Sequence, residues 1–225
     1  MSGRATVIAA LLLAGTPIPA LASAPLTVVE LFQSQGCSSC PPANANVMAL
    51  ADRPDLLTLS FGVTYWDQLG WKDTFASPRY TQRQWDYAHA FHRSQVFTPE
   101  VVVNGKADVV GQDRGELEAL IRREQASGGP EIRLDHDSVA IGGGAGKAQV
   151  WLVRFDPRVV QVPIARGENG GRTLPHRNVV KELALLGNWA GDAVHFALTP
   201  APAGLRTAVL VQENSGGPVL AAARD

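Results

Sequence analysis

Two cysteines are the chain's only thiols, Cys37 and Cys40, and they stand two residues apart in Gly36-Cys37-Ser38-Ser39-Cys40-Pro41-Pro42. Thiol–disulfide exchange needs one thiolate to attack and a second thiol near enough to release the mixed disulfide. Two intervening residues in a helical turn bring the sulfurs into bonding range. A helix start also favours the anion at the first cysteine, because its amide N–H groups are unpaired there. Pro41 and Pro42 lack N–H groups, which is tolerated near a helix start and costly further in. The expectation is therefore Cys37 as attacking sulfur and Cys40 as resolving sulfur at the head of a helix. Structural zinc takes four ligands and there is no second C-x-x-C, so no metal ligands and no bound cofactor are assigned.

The elements that position this pair read from hydrophobic pattern. Leu26 to Phe32 and Leu56 to Val63 are apolar runs suited to buried strands, and Ala43 to Ala51 is a helix-forming stretch stopped by Pro54. Residues 65 to 93 carry Trp66, Trp71 and Trp85 with His89 and His92. Within them, Tyr80 to Phe91 reads as a helix with Trp85, Ala88 and Phe91 on one face. Thr98-Pro99 is followed by a strand over Glu100 to Val103, the turn dipeptide Asn104-Gly105 and a returning strand over Lys106 to Val110. A helix through Glu124 follows. Ala126 to Pro130 is the best boundary in the chain, and after it short strand candidates recur. They are 131–135, 138–141, 148–155, 159–165, 179–186, 193–198, 206–212 and 219–222, a series that suggests an antiparallel sandwich.

The N-terminal residues read as an address. Arg4, an apolar run from Ala5 to Gly15 and the small-residue site Ala20-Leu21-Ala22 predict a cleaved signal peptide over 1–22 and a periplasmic or secreted protein. The composition, 45% apolar and 18% charged with net charge −1, is that of a folded chain. Without a basic run it gives no reason to expect a nucleic-acid partner. No later segment is apolar enough to span a bilayer, so the mature chain is expected to be free of membrane spans.

The combination of C-x-x-C with Thr98-Pro99-Glu100-Val101-Val102-Val103-Asn104-Gly105 resembles the thioredoxin superfamily from about residue 26 to 124. More narrowly, ELFQSQGCSSCPP, YWDQLGWKD and TPEVVVNG resemble an uncharacterised family of secreted bacterial thioredoxin-like proteins with a β-rich tail. The resemblance implies an α/β thioredoxin-like N-terminal domain over 23–126 with a helical insert over 65–93, then an all-β, sandwich-like domain over 131–225. It implies a cis-proline at Pro99 facing the disulfide, with Thr98 lending backbone groups to an extended substrate. Trp66, Asp67, Trp71 and Asp73, with Tyr87 and Arg83 as weaker additions, are candidates for a substrate wall over the pair, or for ordinary satellite packing. Gly36 replaces the usual tryptophan, Ser38-Ser39 the usual Gly-Pro, and Glu30 lies seven residues before Cys37, one further than the usual buried acid.

The function this implies is an exported thiol–disulfide oxidoreductase acting on protein thiols and disulfides. The alternatives are a static structural disulfide in a binding module, or a copper carrier, since soft Cu(I) accepts two thiolates. Gly167-Glu168-Asn169-Gly170-Gly171-Arg172 reads most simply as a hairpin loop, with Arg172, His176 and Asn178 as weaker candidates for a groove between the domains.

Overall fold

The computed structural model describes residues 25–214 and 216–225; the signal-peptide reading of 1–22 lies outside the described residues. Strand β1 (Thr27–Gln33) is buried along its whole length. Val28 and Phe32 enter one core cluster, Val29 and Leu31 another on the opposite face. An unbroken apolar run without polar alternation is what a strand covered on both sides requires. Helix α1 (Cys40–Ala49) starts three residues before the expected Ala43, with Pro41 and Pro42 in its first turn. Strand β2 (Leu56–Gly62) runs parallel to β1, from Thr27 opposite Leu56 to Gln33 opposite Gly62.

Helix α2 (Pro78–Ala90) buries Tyr80, Arg83, Gln84, Tyr87 and Ala88. Its helical period is as expected but its phase is not: Trp85 and Phe91 are only partly buried. Arg83 and Gln84 take the inner face because buried partners meet them there. Strand β3 (Glu100–Val103) pairs antiparallel with β1 and turns through Asn104-Gly105 into β4 (Ala107–Val109). Asn104 and Gly105 have positive φ, 48° and 64°, in a three-residue connection, 104–106, that leaves Val103 paired with Ala107. Helix α3 (Arg114–Arg123) is capped by Asp113, which accepts from the Glu116 N–H at 2.8 Å. It covers the same sheet face as α1, through Leu117, Leu120 and Ile121.

Nine further strands follow among the described residues: β5 (Ile132–Leu134), β6 (Ser138–Ile141), β7 (Ala148–Asp156), β8 (Val160–Pro163), β9 (Thr173–His176), β10 (Val179–Trp189), β11 (Val194–Ala197), β12 (Arg206–Gln212) and β13 (Val219–Arg224). They do not form a separate sandwich. One eight-stranded mixed sheet runs β13-β12-β7-β10-β2-β1-β3-β4, accompanied by a three-stranded sheet β11-β6-β5 and the two-stranded ribbon β8-β9. The expected architecture, a thioredoxin-like α/β domain with a helical insert followed by an all-β sandwich, is thus corrected. The described chain is mostly β with three short helices, and its main sheet passes through both halves.

The physical reason lies at β2. A strand rich in Leu and Phe leaves an open edge that must be covered, and β10 pairs with it in parallel where Val179 meets Ser60. Ser60 donates its N–H to the Asn178 carbonyl at 2.9 Å. Asn178, with φ of 52°, donates its side-chain amide to the Thr58 carbonyl at 2.9 Å and to Thr58 Oγ1 at 2.7 Å. One core cluster consequently takes Val28, Phe61, Tyr80 and Tyr87 together with Val153, Leu183, Leu210 and Val219. Helix α2 packs in this shared core and is not an appendage. No helix among the described residues is long and apolar enough to cross a membrane.

That core encloses an ion pair. Arg83 donates Nε to Glu30 Oε1 at 2.7 Å and Nη2 to Oε2 at 3.0 Å, with the two side chains 5% and 1% exposed. The Tyr87 hydroxyl also donates to Glu30 and accepts from Gln212 of β12 at 3.0 Å. Removing one partner strands a buried charge, whereas removing both does not. Arg83→Met should therefore lower stability by about 3–5 kcal/mol in urea unfolding, with the Glu30→Met/Arg83→Met double variant recovering most of the loss. Equal losses in the single and double variants would show that the pairing is not what matters.

Candidate functional site

The turn from Ser34 to Ser39 leaves the C-terminal end of β1 and enters α1. Its N–H of Cys37 donates to the Ser34 carbonyl at 3.1 Å, and that of Cys40 to the Cys37 carbonyl at 3.2 Å. The two cysteines form a disulfide with Cα atoms 5.5 Å apart. Both sulfur-bearing residues are buried, Cys37 at 0% and Cys40 at 1% exposure, while Ser38 and Ser39 between them are exposed. Cys37 Sγ lies 3.3 Å from Ser39 Oγ. The pair thus stands where a helix N-terminus meets a strand end, a position that favours a thiolate over a thiol when the bond is open.

The Thr98-Pro99 peptide bond is cis and lies beside this turn: Ser39 Oγ donates to the Thr98 carbonyl at 3.4 Å. Trp66 joins it, donating its indole N–H to Thr98 Oγ1 at 2.8 Å. Trp71 reaches the turn from another side and donates to Gln35 Oε1 at 2.9 Å. Asp67 makes no bond to the turn; it accepts from the Asp73 N–H at 3.0 Å and shapes its own loop. Asp73, the fourth member of that aromatic–acidic cluster, accepts from the Gln35 N–H at 2.7 Å. Burial pushes its carboxyl up to about 6. Glu30 faces α2 and is occupied by Arg83 and Tyr87. His89 and His92 are exposed, and among the described residues no group of three or more His, Cys, Asp or Glu is placed to hold a metal.

The residues that sequence reasoning missed come from the β8–β9 ribbon, whose tip lies against the C-x-x-C turn. Glu168 accepts from the Ser38 N–H at 3.1 Å and from Ser38 Oγ at 2.7 Å, bonds that hold its carboxyl below the usual range. Asn169 is fully buried and donates its amide to the carbonyls of Gln35 and Cys37, both at 2.9 Å. Arg172 donates to Asn169 Oδ1 at 2.7 Å and so orients that amide. Further along, Asn44 of α1 donates to the Pro175 carbonyl at 2.6 Å, and His176 Nδ1 lies 3.2 Å from Gln33 Nε2. Residues 167–172 are therefore more than a hairpin loop. The available signal was one acid and one amide flanked by glycines, with Gly167 and Gly171 at φ of 78° and 80°. Of the weaker candidates, Arg172 and His176 lie at the turn, while Asn178 is used to pin β10 to β2.

Glu100 follows the cis-proline and is 1% exposed. It accepts from Gln84 Nε2 at 2.7 Å and lies 3.4 Å from Arg93 Nη1. Burial, reinforced by Asp108, pushes its carboxyl up to about 7. A carboxyl whose folded value exceeds its unfolded value binds more protons in the folded state between the two, so stability falls as pH rises through that interval. Glu100 should accordingly contribute a decline in stability between about pH 4.5 and pH 7 and Asp73 one between about pH 4 and pH 6, opposed by His176, whose lowered value makes stability rise between about pH 4 and pH 6.5. Glu100→Gln should flatten the upper part of the decline in chemical unfolding measured across this range. An unchanged pH profile would exclude Glu100 as its source.

A protein-family profile described as protein of unknown function (DUF1223) matches residues 28–212. No curated protein matches the chain. Among solved structures, the X-ray crystal structure of a protein from Agrobacterium tumefaciens is 33% identical, covers 89% of this chain and 94% of its own, and superposes with a TM-score of 0.72. HBP35 of Porphyromonas gingivalis is similar in fold, with a TM-score of 0.59 at 11% identity over 90% of this chain and 75% of that one. The family match spans most of the chain, from the first sheet strand through the cysteine turn and the ribbon over it to β12: the chain belongs to the DUF1223 family.

Proposed function

We propose that the chain is an exported thiol–disulfide oxidoreductase acting on protein thiols and disulfides through Cys37 and Cys40. The observation that carries this reading is the disulfide at the head of α1 with the cis Thr98-Pro99 bond beside it, bridged by Ser39. A partner thiolate attacks Cys37 Sγ. A partner–Cys37 bond forms, the Cys37–Cys40 bond breaks, and its electron pair leaves on Cys40 as a thiolate that takes a proton from solvent. A second partner thiolate then attacks the partner's own sulfur and releases Cys37, so the partner is oxidised and the pair reduced. The reverse sequence reduces a partner disulfide, with Cys40 resolving the mixed disulfide. Export rests on the basic, apolar and small-residue pattern of residues 1–22. Trp66 and Thr98 would line the approach to Cys37.

Burial of both sulfurs favours one competing reading, a static cross-link. On the catalytic reading the tip at 167–172 must lift before a partner reaches Cys37, and Asn169 and Glu168 are what hold it down. Asn169→Ala should then speed reduction of the disulfide by a small dithiol roughly tenfold, the equivalent of one or two modest hydrogen bonds, with Glu168→Gln smaller in the same direction. In the native compartment Cys40→Ser should accumulate a mixed disulfide with a protein partner and Cys37→Ser none. A pair that resists small dithiols, with neither variant capturing a partner, would establish the static cross-link.

A further inference from the structure

A cavity of about 40 Å³ lies beside the resolving cysteine, lined by Gln33, Cys40, Asn44, Leu174, Pro175 and His176 among others. His176 is 3% exposed, and its Nε2 has no hydrogen-bond partner among the described residues. Buried polar atoms are seldom left so, and each exception calls for a cause. Its other ring nitrogen is accounted for. Nδ1 faces Gln33 Nε2, whose two hydrogens also face Ser60 Oγ and Asn44 Oδ1; a proton on Nδ1 would point at those amide hydrogens, so the neutral ring carries its proton on Nε2. Gln33 is itself held by Ser60 Oγ at 2.7 Å and Asn44 Oδ1 at 3.2 Å, and the Phe75 ring packs edge-on against the imidazole. Lys181 of β10 is the charged group acting on it. Burial first, and Lys181 second, push His176 down to about 4, so the ring is neutral near pH 7.

A residue whose neutral N–H has no acceptor among the described residues thus lines the same cavity as Cys40, whose sulfur carries no charge in the disulfide. That sulfur acquires a full negative charge when the bond opens, inside a site that is 1% exposed. A thiolate so placed is destabilised by burial and relieved by a hydrogen bond to it. The cavity exceeds the roughly 10–15 Å³ that one water requires. We propose that His176 is the positioning residue for the resolving sulfur: its Nε2–H donates, through one water in this cavity, to the Cys40 thiolate released when the Cys37–Cys40 bond breaks. This rests on the exchange chemistry proposed above. The electron pair goes to Cys40 Sγ, the thiolate's eventual proton comes from solvent, and the imidazole keeps its own. The same contact holds Cys40 ionised for the return attack on a mixed disulfide.

The test uses the full chain carrying Cys37→Ser, which leaves Cys40 as a free thiol whether or not the native pair can be reduced. Ultraviolet thiolate absorbance gives the titration of Cys40, and NMR of the ring protons gives that of His176. Adding His176→Leu should raise the Cys40 pKa by about one unit, a tenfold loss of thiolate below it, and His176→Gln, which keeps an N–H, should restore most of the difference. Coupling is reciprocal, so the His176 ring resonances should shift with the ionisation curve of Cys40 in Cys37→Ser and show no such step in Cys37→Ser/Cys40→Ser. That comparison leaves His176 in place and stands even if the leucine variant does not fold. Identical Cys40 titrations with His, Gln and Leu, or a ring indifferent to Cys40, would overturn the assignment. Partner capture by Cys40→Ser does not depend on His176, so lost capture with coupling intact would count against the exchange reading alone.

Discussion

Asn169 donates one side-chain amide to two carbonyls, those of Gln35 and Cys37, and is itself wholly buried. Both carbonyls belong to the turn between β1 and α1. The turn bonds to itself through the Ser34 and Cys37 carbonyls, and the carbonyl of Gln35 would stay unpaired in the interior without an outside donor. A buried backbone oxygen without a partner is costly. The segment holding the disulfide therefore depends on a residue more than a hundred positions away in the chain. Arg172 fixes the orientation of that amide, and Glu168 takes the Ser38 N–H exposed beside it.

The route by which Asn169 arrives there can be followed back to the main sheet. Asn178 binds the Thr58 backbone, and its carbonyl accepts from Ser60, which docks β10 alongside β2. His176, two residues earlier, is thereby set against Gln33 at the end of β1. Ser60 also accepts from Gln33, so one serine connects the strand pairing to the buried polar chain beside Cys40. From His176 the ribbon β8–β9 extends back over the cysteine turn, packing Val162, Ile164 and Leu174 against Trp71 and Phe75. Strand pairing, ribbon placement and the contacts over the cysteine turn are consequently joined by one continuous set of hydrogen bonds and packing contacts.

Local pattern carried much of the element order. The strands at 27–33, 56–62, 100–103 and 206–212 announce themselves by apolar runs, and Asn104-Gly105 by its turn chemistry. The architecture was not legible, because it hinges on a single residue pair, Val179 with Ser60, that leaves no periodic trace in either segment. The face of α2 was misjudged because Arg83 and Gln84, polar by type, are the buried ones, matched to Glu30 and Glu100 across the fold. Strand β9 escaped notice because Thr-Leu-Pro-His offers neither alternation nor a run, and Pro175 speaks against a strand. Polar loop residues such as Glu168 and Asn169 look solvated in a sequence. Only the approach of the opposite half of the sheet turns them into partners of the cysteine turn.

As proposed, the Cys37–Cys40 bond is a working couple rather than a permanent cross-link. Its reduction potential, measured by equilibrating the full chain against defined dithiol/disulfide buffers, tests that most directly. A working couple predicts a value less negative than about −300 mV, within reach of physiological thiol systems. A value below about −300 mV would mark the bond as structural and exclude a role in exchange.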